Sequence, residues 1–163
     1  MALHRTHELF NIVLYLPVVY LLPKEYVIPF SVGYFLGTFL LSPDIDLSFS
    51  RPAKRWKAFR YLWLPFWVFS RHRGITHTPF LGSLVKLFYL GFLSVFLYFA
   101  LLGVFSFTNY TPREYLNFNP LDFLESFMKS EEGFYFVLGV IVADLFHILL
   151  DFITSFWKKL KRL

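Results

Sequence analysis

The chain has 163 residues, of which 56% are hydrophobic, 23% aromatic and 17% charged, with a formal net charge of +5 and no cysteine. Soluble domains carry ~45–50% apolar and about a quarter charged residues, so the composition points to a single integral-membrane domain over residues 1–163. The lack of cysteine excludes disulfides, thiolate metal sites and cysteine nucleophiles, and leaves only nitrogen and oxygen to hold a metal.

The first apolar run, Leu9 to Leu22, follows Arg5 as in a signal peptide. Leu21-Leu22-Pro23-Lys24 offers no small-residue cleavage site, so retention is expected. Counted from Thr6, the run approaches the ~20 residues of a span, with a kink expected at Pro17. The second run, Tyr26 to Leu41, stops at Ser42-Pro43, because a residue before proline is pushed out of the helical region. Its Gly33 and Gly37 form a small-xxx-small pair that permits close helix approach. The third run, Phe80 to Phe107, has Thr78-Pro79 as its expected cap and first turn. The fourth, Gly133 to Ile153, closes on Lys158, Lys159, Lys161 and Arg162.

The expected fold is therefore all-α, a polytopic membrane bundle of about four spans. Between the second and third runs, Asp44 to Thr78 holds Arg51, Lys54, Arg55, Lys57, Arg60, Arg71 and Arg73. By the positive-inside rule this loop and both termini are cytoplasmic, at an inner (plasma) membrane. Within it, Ala53 to Phe69 interleaves Trp56, Phe59, Trp63 and Trp67 with cations. An interfacial aromatic/basic segment on lipid headgroups is the expected reading, and a nucleic-acid surface is disfavoured.

Several residues carry possible chemistry. Asp144, His147 and Asp151 lie at i, i+3 and i+7 on one face of the fourth run. A charge at mid-membrane costs about 2.5–3.5 kcal/mol on insertion scales, so such residues need a reason. His147 and Asp151, at i and i+4, are spaced to give one metal a nitrogen and an oxygen. Asp144, about one turn deeper, is expected behind the ligands or as a general base. A buried polar network gluing helices is the alternative. Asp44 and Asp46, alternate residues of an extended stretch, can chelate or bridge cations, and Asp46 is the second catalytic candidate. His72 and His77 flank Gly74 before the third run, and His7 precedes the first.

The charge rule puts all these groups on one face. Histidine plus carboxylate suits one or two divalent ions: zinc first, with manganese or iron as alternatives. Arg71 and Arg73 are candidates to clamp an anionic substrate group. The expected function is a membrane-embedded metal-dependent hydrolase of a phosphoester or lipid, with membrane lipids and an anionic small-molecule or lipid substrate as partners. A metal carrier or transporter, or a membrane protein with a structural metal, are the alternatives. Ser83-Leu-Val-Lys86 fits S-x-x-K, and without partner motifs it reads as a chance match.

The ordered set Thr6-His7, Ser-Pro-Asp-Ile-Asp-Leu at 42–47, Arg-His-Arg-Gly-Ile-Thr-His at 71–77 and His147-xxx-Asp151 resembles the YdjM-like inner-membrane metal-dependent hydrolases. Arg55-Trp56, Leu62-Trp63 and Gly82 to Leu90 look closer to a related family described only as metal-binding. The resemblance covers His7 to Asp151. These families are similar to the helical folds of zinc-dependent phospholipase C and nucleases. That similarity implies His7, Asp44, His77, His147 and Asp151 as ligands and phosphoester hydrolysis as the reaction. The further histidine ligands of the soluble enzymes are missing here, which argues against a full trinuclear centre.

Overall fold

The computed structural model describes residues 4–70, 74–108 and 117–161, and every regular element among them is helical. The α-helices are α1 (His4–Tyr20), α2 (Val27–Phe39), α3 (Arg51–Arg55), α4 (Leu64–Phe69), α5 (Leu81–Phe107), α6 (Pro120–Lys129) and α7 (Glu131–Leu160). Short 3₁₀ turns cover Lys24–Tyr26, Pro43–Asp46, Lys57–Trp63 and Ile75–His77.

Two helices, α5 with 27 residues and α7 with 30, are long and apolar enough to cross a membrane. At ~1.5 Å per residue both exceed the ~30 Å hydrocarbon core. The expected four spans are not matched by the lengths of the others. Helix α1 has 17 residues and α2 only 13. The turn at Lys24–Tyr26 and the exit at Leu40 shorten α2, whereas α1 continues through Pro17 to Tyr20.

The centre of the fold is the α2–α7 pair, where backbone meets backbone. A Cβ on Gly33 would lie 2.0 Å from the Phe136 carbonyl oxygen, and one on Gly139 would lie 2.2 Å from that of Phe30. Only glycine allows this approach, as the spacing of Gly33 and Gly37 predicts. Around it pack Phe30, Tyr34 and Ala143, with Tyr15 and Phe146 at the edge. Helix α7 is capped by Ser130, whose Oγ accepts from the Gly133 N–H at 3.0 Å. Glu131 and Glu132 in its first turn, and Lys158 and Lys159 in its last, complement the helix dipole.

The start of α5 differs from expectation. The Thr78 hydroxyl donates to the Ile75 carbonyl at 2.5 Å, closing the preceding turn, and so does not cap the helix. The helix begins at Leu81, after Phe80 turns the chain with φ 63°. Helix α6 lies outside the four apolar runs and starts at Asn119-Pro120, where Asn119 Oδ1 accepts from the Leu121 N–H at 3.0 Å.

The aromatic/basic segment also turns out differently in part. Trp63 is fully buried and packs with Leu41, Ile45, Ala53 and Phe66. Trp56 Nε1 donates to the Leu40 carbonyl at 3.1 Å, and Trp67 Nε1 to that of Ile45 at 2.8 Å. Three indoles thus grip the chain on either side of Ser42-Pro43, while Phe59, Tyr61, Val68 and Phe69 face outward. The irregular chain leaving α2 offers carbonyls to the indole N–H groups of Trp56 and Trp67, whereas Trp63 is held by apolar packing and its Nε1 has no hydrogen-bond partner among the described residues.

Candidate metal centre

Four separate pieces of chain meet at one point. His7 comes from the first turns of α1, Asp44 from the 3₁₀ turn after α2, His77 from the turn before α5, and His147 and Asp151 from one face of α7. Pro43 starts the 3₁₀ turn that carries Asp44, with Ser42 extended before it at φ −48° and ψ 150°. His7, Asp44 and His147 are buried, and His77 and Asp151 are half-buried.

His7 Nε2 lies 3.4 Å from Asp151 Oδ1, and His147 Nε2 lies 3.6 Å from Asp44 Oδ2 and 3.9 Å from Asp151 Oδ2. His77 Nε2 lies 3.5 Å from Asp44 Oδ1. The His7 and His147 rings stack with centroids 3.9 Å apart. Two triads result, His7–His147–Asp151 and Asp44–His77–His147, in each of which one ligand atom from every residue lies within 4.8 Å of the others. His147 belongs to both.

These separations fit a shared cation. Most exceed hydrogen-bond length, yet two atoms bound tetrahedrally to one ion at ~2.1 Å stand about 3.4 Å apart. His147 Nε2 is buried without a hydrogen-bond partner and faces both carboxylates. A buried polar atom left in this way calls for an ion or a water. Three imidazoles with two carboxylates form a donor set suited to zinc and its neighbours.

The surroundings orient these groups. Ser42 Oγ pairs with His147 Nδ1 at 3.3 Å, which turns Nε2 toward the carboxylates. Asp46 Oδ2 accepts from the Thr76 hydroxyl at 3.0 Å and lies 3.9 Å from His77 Nδ1. Asp46 therefore stands behind His77, on the far side from Asp44. One turn below His7, Asn11 donates to Thr38 Oγ1 and to the Ala143 carbonyl, both at 3.1 Å, and joins α1, α2 and α7. Arg55 pairs with Glu8 at 2.8 Å and donates to the Phe39 carbonyl at 3.0 Å, fixing α1 against the end of α2.

Asp144 is placed apart from the two triads. Its Oδ2 accepts from Ser83 Oγ at 2.5 Å and Lys86 Nζ at 2.6 Å, and Lys86 also donates to the Leu41 carbonyl. Ser83 and Lys86 are both fully buried. The S-x-x-K spacing read as chance thus has a physical cause: the two residues lie one turn apart on α5 and grip the same carboxylate. Of the remaining candidates, His72, Arg71 and Arg73 lie outside the described residues.

Residues 2–161 match the family described as "Uncharacterized metal-binding protein (DUF2227)". The chain belongs to this family. It is also 63% identical, over 85% of its length and 99% of the relative's, to an "Uncharacterized protein" of Aquifex aeolicus (strain VF5). No solved structure matches it. Membership bears on the resemblance drawn from the sequence: it supports the metal-binding family and not the YdjM-like hydrolases. A metal-binding family and a buried cluster of histidine and carboxylate agree with each other.

Proposed function

We propose that this family member is a multi-pass inner-membrane protein that uses a divalent ion, zinc first among the candidates, to hydrolyse a phosphoester at the cytoplasmic face. The observation that carries the reading is the convergence of His7, Asp44, His77, His147 and Asp151 from four chain segments. A structural tie between helices needs fewer donors, whereas a set divisible into two triads leaves room for substrate oxygens beside the protein's own. In this reading α5 and α7 span the bilayer, and α1 and α2 complete four crossings with the help of their flanking turns.

A divalent ion held there supplies Lewis acidity toward a phosphoryl oxygen. The residues of the chain do the positioning. Ser42 holds His147 by Nδ1, and Asp46 with Thr76 holds His77 from behind. We assign Asp46 the proton-handling role, because Asp144 is engaged by Lys86 and Ser83. Arg71 and Arg73 are proposed to meet the anionic group of the substrate.

The test is metal analysis of the purified protein, followed by a panel of phosphomonoesters, phosphodiesters and phospholipids. Turnover abolished by chelation, restored by zinc and absent in His147→Ala is the expected result. Stoichiometric metal with no turnover across the panel would leave a structural or carrier role in its place.

A further inference from the structure

Beside the candidate metal centre lies a cavity of about 580 Å³ between α4, the 3₁₀ turn at Ile75–His77 and α5. Its volume falls in the range of sites that enclose a small ligand, ~300–1,000 Å³. Val85, Tyr89 and Phe92 line one wall. Their spacing of four and three residues makes a continuous stripe about 10 Å long on one face of α5. Phe66 and Phe69 of α4 line the opposite wall. Phe69 and Phe92 are 86% and 72% exposed, so the mouth opens outward along α5, one of the two helices able to cross a membrane.

The polar end is as informative as the apolar walls. Thr76 lines the cavity, is itself 1% exposed, and donates its hydroxyl to Asp46 beside His77. The apolar trough therefore begins at the residue that supports the metal centre and runs away from it. Apart from the Ser70 hydroxyl, the walls offer a water-soluble phosphoester little to bind, whereas an alkyl chain would find apolar contact along Phe66, Val85, Tyr89 and Phe92.

We propose that this cavity binds one acyl chain of a membrane phospholipid, with the phosphate at the Thr76 end, toward His77. The inference rests on the phosphoester reading above and supplies its substrate class: a lipid that enters sideways from the bilayer. Chain occupancy can be measured apart from turnover.

The probe is lysophosphatidic acid carrying a diazirine in its tail, photolysed with the detergent-purified full-length protein and mapped by peptide sequencing. Labels concentrated at residues 66–69 and 85–92, competed by unlabelled long-chain phosphatidic acid but not by inorganic phosphate, are expected. Val85→Trp should lower this labelling by about an order of magnitude or more while metal content stays unchanged. Labels spread over the outward faces of α5 and α7, with no competition, would overturn the proposal, because the cavity would then hold only ordinary surrounding lipid. The map and competition use the unmutated protein and decide the matter even if Val85→Trp does not fold. Specific labelling without turnover of any phosphoester would remove the hydrolase reading and leave a lipid site. Turnover of p-nitrophenyl phosphate with unspecific labelling would do the reverse.

Discussion

Replacing Lys86 tests how α5 is held to the rest of the protein. Its ammonium is fully buried and, among the described residues, pairs with Asp144 Oδ2 at 2.6 Å and with the Leu41 carbonyl. Lys86→Met keeps the length of the side chain and removes the charge. Asp144 is then left as a buried carboxylate with Ser83 as its one remaining hydrogen-bond donor, and its Oδ1 already has none. Breaking a buried pair on one side costs about 3–5 kcal/mol. Asp144→Leu alone strands the cation in the same way. In the double variant both charges are gone and only the neutral Ser83 hydroxyl and Leu41 carbonyl lose a partner, so stability should return to within about 1–2 kcal/mol of the starting protein. The two single losses therefore must not add, and a double-mutant cycle should report strong coupling. Helix content followed through titration with sodium dodecyl sulfate in mixed micelles measures each stability. If Lys86→Met costs less than about 1 kcal/mol and the double variant is additive, the pair is not the lock between α5 and α7 described above.

Three further outcomes follow from the geometry. Gly33→Ala forces a methyl group against the Phe136 carbonyl, and overpacking of that kind costs ~1–3 kcal/mol or more; Gly103→Ala, with nothing within 4 Å of the new Cβ, should be neutral or stabilising by up to about 1 kcal/mol in the same titration. Ser42→Ala frees His147 Nδ1 and should weaken metal affinity about 10–100-fold without emptying the site, whereas His147→Ala should empty it, as read by competition with a chromophoric chelator. Reporter fusions at positions 60 and 160 should fall on the cytoplasmic side and those at 24 and 120 on the opposite one; finding 60 and 160 on different sides would remove the four-crossing arrangement.

What the sequence made legible was whatever depends on local spacing. His147 and Asp151 share a helix face by their separation of four, and Gly33 with Gly37 marks the close contact of α2 with α7. Proline 43 gives the end of α2 and the start of the turn carrying Asp44. The features missed are those where the partner is distant in the chain. Helical periodicity shows that Ser83 and Lys86 lie on one face of α5, but not that this face meets Asp144. Nothing local shows that Trp56, Trp63 and Trp67 turn inward, since tryptophan beside cations also suits a membrane surface. Asn11 is polar within an apolar run, a signal in itself, yet its two acceptors lie on α2 and α7. The second apolar run is longer than α2 because apolar residues continue through Leu40 and Leu41 after the helix has ended.

The contact of Gly33 and Gly139 has a mechanical consequence. Where side chains separate two helices, rotamer changes absorb displacement; where backbones touch, as α2 and α7 do, there is nothing soft between them. These two helices therefore behave as one stiff beam, with His147 and Asp151 fixed to it. With α1 and its His7 tied to the same pair through Asn11, movement on taking up or releasing an ion falls to the short turns at Pro43–Asp46 and Ile75–His77, which hold Asp44 and His77. The centre is a jaw with one rigid side and one hinged side.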